Sequence, residues 1–596
     1  MGVPHFFKWL ARKYKSVFIK KSMEEEVDVL MLDNNGLIHP RTNFILEKYY
    51  DWNNLDTLEK RMYNDIVDYM KKVCDASFIN NLVQVNLCKE GPSKGNPVGP
   101  SKGNPVGHLD KVKYFYIAMD GPVPMAKVHQ QRLRRYKAIT EKKIIDDIKK
   151  IHNKKIPNFW PNANITPGTE FMNKVNLKIK KCLKNNYFGN IICVFSPSDV
   201  FGEGEHKIFG YLKKNAKLFK NKVKVIYGLD ADLIMLALIS GFKKIFLMRE
   251  HSELDKLGNG ETFFNYIDID KVRECIVREM CYNAELNPIN NETIYLELDE
   301  ETKQTYINDF VFITFLIGND FLPNIWCVDV MHNGEDKIIN VWKTCHKTLK
   351  QFLINNNTAI NLIFFKMFIN VLSLGENNYF SNEIFHFIKK ESEMKCFSND
   401  QYDIDMFNHH HMKNCSIYNP LNIGRGDMKF WRKNYYDYYF PNKSIDKICY
   451  KYVKGLQWII HYYFNNTPIS WTWFYKYLAS PLLTDLNYYL ERNDDIKFNF
   501  ELNEPLKPYI QCLTVLPPQL SFLLIKELQF LVTDEKSKII DLFPAIYKED
   551  RINKTLAYKC LPIIPPINIK RILKEVSKIK FKEPEMHKII RKEQNT

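Results

Sequence analysis

Three stretches decide the fold: residues 27–33 (VDVLMLD), 114–120 (YFYIAMD) and 223–232 (VKVIYGLDAD). Each is a short, continuous apolar run that closes on an acid. Such runs, rich in Val, Ile, Leu and Tyr, read as parallel strands buried on both faces. Residues 190–195 (NIICVF) and 244–248 (KIFLM) have the same character. The intervals can hold crossover helices, as at 55–72 and 172–184. The alternation predicts an α/β fold with a mostly parallel central sheet flanked by helices.

The strand ends carry the chemistry. Ligands of an open α/β sheet bind beyond the carboxyl ends of its strands. Asp33, Asp120, Asp230 and Asp232 fall at such ends. Residues 201–207 (FGEGEHK) add Glu203 and Glu205, alternating with glycines that let the chain turn. Asp320 follows the apolar run 310–317, within GNDFLP. A single Asp after a strand is ordinarily a helix cap. Seven carboxylates converging on one crevice are different, because their repulsion raises pKa values unless counterions intervene. Hard divalent cations meet that need, magnesium first and manganese as its alternative. Two ions ~4 Å apart suit water activation and leaving-group stabilisation at phosphorus. The implied chemistry is metal-assisted phosphodiester hydrolysis.

Residues 126–136 (AKVHQQRLRRY) come directly after Asp120. Lys127, Gln131, Arg134 and Arg135 stand at i, i+4, i+7 and i+8, on one face of a helix. Three cations and an amide side by side suit a fixed anion such as a terminal phosphate. A solvated basic face is the bland reading, and closeness to the acidic strand end argues against it.

Composition sets the class. Of 596 residues, 45% are hydrophobic, too many for a disordered chain, and two to four domains are expected. A net charge of +16 favours a polyanionic partner, most simply nucleic acid. No uninterrupted apolar stretch is long enough to span a bilayer, and no signal-peptide core opens the chain. The thirteen cysteines form no C-x-x-C pair, which suits a reducing compartment. The cytoplasm is the expected location, with the nucleus as alternative.

The α/β rhythm predicts a first region over 1–335, which holds all seven acids. It contains a low-complexity loop at 89–108, where GPSKGNPV occurs twice in succession. Aromatic, helical patterns predict a second, mainly helical region over 336–596. Within it, 392–420 is polar and reads as an irregular insertion. It carries His409, His410 and His411 with Cys415 nearby, read as a solvated histidine run rather than a metal site.

Taken together, these strings resemble the XRN family of 5′→3′ exoribonucleases. The matching text is MGVPHFFKWL, LDNNGLIHP, MDGPVPMAKVHQQRLRRY, ITPGTEFM, FSPSDVFGEGEHKI, YGLDADLIML and FLIGNDFLP. Residues 451–486 and LKPYIQCLTVLPPQLSFLL resemble the family's second conserved region. The resemblance implies a PIN/FEN-like nuclease core. It places the metal ligands on Asp33, Asp120, Glu203, Glu205, Asp230, Asp232 and Asp320. It places the 5′-phosphate pocket on Lys127, Gln131, Arg134 and Arg135. His39 matches a family histidine that stacks on the 5′-terminal bases, opposite either Trp471 or Trp473.

Departures are visible too. Asn34–Asn35 stands where the family has a more apolar residue, and His129 where Asn is common. The span from Tyr136 to ITPGTE is short, so a reduced helical projection is expected, as is a compact member without C-terminal accessory domains. The implied activity is processive hydrolysis of 5′-monophosphorylated single-stranded RNA to mononucleotides, in mRNA decay, by a monomer with no membrane association. A protein partner that braces the compact core is left open. The rival enzyme is a FEN-like flap nuclease acting on DNA, which needs a duplex-binding helix–hairpin–helix not seen here. The non-enzymatic rival is a catalytically silent RNA-binding protein, which predicts missing acids.

Overall fold

The computed structural model describes residues 6–14, 17–20, 26–50, 52–79, 113–228, 230–250, 264–283, 285–328, 333–413, 421–423 and 428–581. The duplicated GPSKGNPV loop lies outside these residues, as do Cys415 and the last residues of the chain.

A seven-stranded sheet forms the centre. Its strands are β1 (Phe18–Lys20), β2 (Val29–Asp33), β3 (Tyr114–Ala118), β4 (Ile192–Ser196), β5 (Lys224–Tyr227), β6 (Ile245–Glu250) and β7 (Phe264–Asp268). The spatial order is β1-β7-β6-β5-β2-β3-β4. From β6 to β4 the five neighbours are parallel. At the other edge β7 and β1 are antiparallel. All five predicted strands are present; β1 and β7 are additions, and of the two only β7 runs against the other strands. β1 has only three residues, too few to show a period.

Alternation through the sheet explains why these runs are strands. Val29 and Met31 point into one core, Leu30 and Leu32 into the other. Tyr116 and Ala118 against Phe115 and Ile117 repeat the division. Both faces are therefore dry, as continuous apolar runs require. The second core is built with α2 (Asn34–Lys48), α3 (Leu55–Ile79) and α5 (Glu170–Lys184). The first is built with α6 (Gly204–Lys214), α7 (Ala231–Ile239) and α8 (Glu300–Thr314). It also takes in α9 (Ile445–Phe464), and Trp342, Trp431 and Trp458 are fully buried there. Among its described residues the downstream part is mainly helical, with two small two-stranded sheets. Apart from these helices, α1 (Phe6–Lys13) precedes the sheet.

A third core joins the two regions. Val123, Met125 and Val128 pack with Leu513, Leu528 and Ile572. They bring α4 (Met125–Ile151) against α10 (Pro508–Val515). At 27 residues α4 runs well past the segment read as its basic face. One expectation fails here. Residues 392–413 are not irregular throughout, because Gln401–His410 is a helix capped by the Asp400 carboxylate, which accepts from Tyr402 N at 2.8 Å. It buries no residue fully, so it shows no apolar stripe in sequence. It docks on α4 through polar contacts, such as the His152–Asp405 pair at 2.8 Å. Among the described residues no helix is long and apolar enough to cross a membrane.

Candidate active site

Strand order places the acids. β2 lies between β5 and β3, all three parallel, so their carboxyl ends open on one crevice. Asp33 ends β2, Asp120 lies two residues beyond β3, and Asp230 caps α7 just after β5. Asp232 occupies the first turn of α7. Glu203 and Glu205 straddle the start of α6, one at its cap and one in its first turn. Asp320 is delivered by a turn at Gly318, whose φ of +118° suits only glycine. That turn is locked by Asn319, whose side-chain oxygen accepts from Phe321 N and Leu322 N.

The acids form two linked groups. Carboxylate oxygens of Asp33, Asp120 and Glu205 lie within 4.8 Å of one another. Asp120 is held by Asn35, whose Nδ2 donates to Oδ2 at 2.9 Å, and by Gly204 N, which donates to Oδ1 at 2.7 Å. Glycine is needed at 204, because a Cβ there would stand 2.5 Å from Asp33 Oδ1. The second group centres on Lys127. Its Nζ reaches Glu203 at 2.5 Å and Asp320 at 2.6 Å. Tyr462 Oη donates to Glu203 at 2.6 Å, and Gln130 donates to Asp320 at 3.1 Å.

The electrostatics match this crowding. Burial, then neighbouring carboxylates, raise Asp33 and Glu205 well above the usual range. Burial and Glu203 push Asp120 up to about 6, and burial and Asp320 push Asp232 up to about 7. Asp320 goes the other way: burial would raise it, but Lys127 outweighs burial and holds it low. Lys127 is correspondingly raised against its own burial by Asp320 and Glu203. Asp33 Oδ1 and Asp232 Oδ1 are buried and accept no hydrogen bond from the described residues. Orphaned carboxylate oxygens beside raised pKa values are what a divalent cation would satisfy, so this donor set fits a hard metal ion.

The basic face resolves into two parts. Lys127 sits among the acids, acting as a built-in counterion. Arg135 lies further along α4 and donates to Thr166 Oγ1 at 2.6 Å. Burial, and then Arg134, lower its pKa to about 10. Arg134 is exposed, and Gln131 is buried with an unpartnered Oε1. His39, on α2, faces both arginines. Burial first and their charges second push its imidazole down to about 4.

The two tryptophans part company. The Trp471 carbonyl accepts from Met125 N, the first residue of α4, at 2.8 Å. Its ring stands edge-on to the exposed Phe201 at 5.5 Å, in the loop that leads to Glu203. Trp473 instead stacks on Trp458 at 5.6 Å and packs on Phe500. Sequence reasoning missed Asn35, Gln130 and Tyr462. Asn35 and Gln130 lie inside motifs quoted above, and Tyr462 inside the 451–486 stretch, but Tyr462 is 259 residues from its partner and the sequence gives no sign of the contact.

Comparison with known sequences follows the same lines. The XRN 5′-3′ exonuclease N-terminus matches residues 1–87 and 106–251. The Xrn1 helical domain matches residues 302–419 and 424–594. The chain belongs to the XRN family. The interruption at 88–105 in the first XRN match covers nearly all of the GPSKGNPV duplication. Among curated relatives, 5′-3′ exoribonuclease 1 of Homo sapiens is 28% identical over 96% of this chain. The Schizosaccharomyces pombe enzyme of the same name is 24% identical over 99%, and 5′-3′ exoribonuclease 2 of Arabidopsis thaliana 25% over 97%. This XRN chain spans 34% of the human protein, 49% of the fission-yeast one and 67% of the plant one.

Proposed function

We propose that the protein is a 5′→3′ exoribonuclease. It hydrolyses 5′-monophosphorylated single-stranded RNA processively to mononucleotides, in RNA decay, with the nuclease machinery in residues 1–335 and the helical region 336–596 packed against it. The observation that carries this reading is the convergence of seven acids beside the cationic face of α4. The names of the XRN relatives supply RNA as the substrate and 5′→3′ as the direction.

Each side chain has a part. Arg134 and Arg135, with Gln131, hold the 5′-monophosphate. Lys127 bridges that pocket to the acids. His39 and Trp471 stack on the first bases, Trp471 being preferred over Trp473 because its backbone is tied to the start of α4. Asp33, Asp120, Glu203, Glu205, Asp230, Asp232 and Asp320 would hold magnesium, or manganese, as two ions. Bound there, such cations supply Lewis-acid polarisation of the phosphoryl oxygens and acidify a water molecule.

Hydrolysis breaks the bond between phosphorus and the 3′ oxygen of the first nucleotide. That oxygen leaves with the mononucleotide as a 3′-hydroxyl. The shortened strand keeps the attacked phosphate as a new 5′-monophosphate, so each cycle regenerates the group that Arg134 and Arg135 recognise. That is a physical basis for processivity. The test is one RNA prepared with a 5′-monophosphate, triphosphate, hydroxyl or cap, digested with and without Mg²⁺. Rapid, Mg²⁺-dependent loss of the monophosphate form alone is expected. Equal digestion of all four forms, or of none, would overturn the assignment.

A further inference from the structure

Far from the acids, the structure assembles a second set of metal-ligating groups. We infer that Glu141, His409 and His410 form a transition-metal site of the zinc class, which clips the helix Gln401–His410 to the distal half of α4. One ligand atom from each of the three lies within 4.8 Å of the other two. Glu141 is fourteen residues beyond Lys127 on α4, about 21 Å along the helix axis. The cluster is therefore separate from the acidic crevice.

Three observations support a ligand here. First, His409 Nε2 is buried and has no hydrogen-bond partner among the described residues. A buried imidazole nitrogen without a partner is costly unless something supplies one. Second, the charged groups around Glu141 are occupied elsewhere. Lys137, one turn before it, donates to the carbonyls of Ala557 and Cys560. Asp405 pairs with His152, and Arg551 with Glu549. Third, Glu141 and His409 line a cleft of about 380 Å³ between the two helices and residues 549–560, which leaves room for an ion and a water. His411 lies outside this cluster, its ring stacked on Phe407 at 4.2 Å.

The donor chemistry selects the metal. Two imidazoles and one carboxylate suit zinc, whose bonds to nitrogen are about 2.0–2.1 Å, with a fourth position left for water. Magnesium prefers an all-oxygen shell and is disfavoured. Zinc would thus fasten an element that buries no residue fully to the same helix that carries the basic face.

The test uses the full chain in saturating Mg²⁺, so that the acidic crevice is occupied. Zn²⁺ binding is measured by competition with a chromogenic chelator, and Co²⁺ binding by its ligand-field absorption. Wild type should take up one zinc that His409→Ala and Glu141→Gln bind at least about 100-fold more weakly, ligand loss costing more than loss of an outer partner. Zn²⁺ should raise the thermal midpoint of wild type alone. His410→Ala, at an exposed position, is the variant least able to disturb folding and should behave as the other two. Identical zinc stoichiometry and affinity in wild type and all three variants would overturn the proposal, as would a Co²⁺ spectrum unchanged by their substitution. The outcome does not depend on whether the chain degrades RNA.

Discussion

Lys127→Met removes a cation bound directly between two buried acids. Its Nζ contacts Glu203 at 2.5 Å and Asp320 at 2.6 Å, and all three side chains are less than a tenth exposed. Removing one partner of a buried pair costs about 3–5 kcal/mol, because the charge left behind has no water to solvate it. Globular chains have an unfolding entropy of about 2.1 cal/mol/K per residue, hence about 1.3 kcal/mol/K here if the chain unfolds in one step. The thermal midpoint of Lys127→Met in EDTA should therefore fall by about 2–4 °C. Saturating Mg²⁺ or Mn²⁺ should recover most of that loss, since the cation replaces the missing positive charge. The assay is differential scanning fluorimetry of wild type and variant, each with EDTA and with the divalent ion. A midpoint unchanged in EDTA, or a loss the ion does not touch, would refute the view of Lys127 as counterion to a metal-binding acid set.

Other outcomes follow from the same geometry. Asp232 has its folded pKa raised from 3.8 to about 7, so its contribution favours the folded state most below pH 3.8 and is lost as pH rises towards 7. That loss is of order 4 kcal/mol; in EDTA the wild-type midpoint should fall between pH 4 and pH 7, and Asp232→Asn should fall less. A steeper fall for the variant would contradict the sign. Gly204→Ala puts a Cβ 2.5 Å from Asp33 Oδ1 at a helical position that otherwise welcomes alanine. The Mg²⁺ concentration for half-maximal hydrolysis should rise at least about tenfold, as for disturbed ligand support at a metal site. Trp471→Ala should weaken RNA binding by about 1–3 kcal/mol, measured by fluorescence anisotropy. Trp473→Ala should instead lower the thermal midpoint and leave affinity unchanged.

Much of the site was legible because strand ends are. VDVLMLD, YFYIAMD and VKVIYGLDAD each declare both a buried strand and the acid at its exit, and adjacency of β5, β2 and β3 then brings those acids together. Glu203, Glu205 and Asp320 were legible from their glycine-punctuated turns. The partition of the basic face was not. Helical spacing put Lys127 with Arg134 and Arg135, but spacing along α4 says nothing of what packs opposite it. Glu203 and Asp320 arrive from elsewhere and capture Lys127. The tryptophans were ambiguous for the same reason. Two residues apart in sequence, they are separated by what lies around them, the start of α4 for one and Trp458 for the other. The helix Gln401–His410 was missed because it buries too little to leave a period. The edge strand β1 has only three residues, and β7 beside it runs antiparallel to both its neighbours, so neither gave the signal of a buried parallel strand.

The most direct measurement of the central claim compares wild type with Asp230→Ala on a 5′-phosphorylated, 3′-labelled single-stranded RNA under single-turnover conditions, titrating Mg²⁺. Wild type should release nucleoside 5′-monophosphates only when the cation is present. The variant should bind the RNA as tightly and hydrolyse it at least about 100-fold more slowly, a ligand counting for more than its supporting partners. Hydrolysis by Asp230→Ala at the wild-type rate, or wild-type hydrolysis indifferent to the cation, would contradict the account.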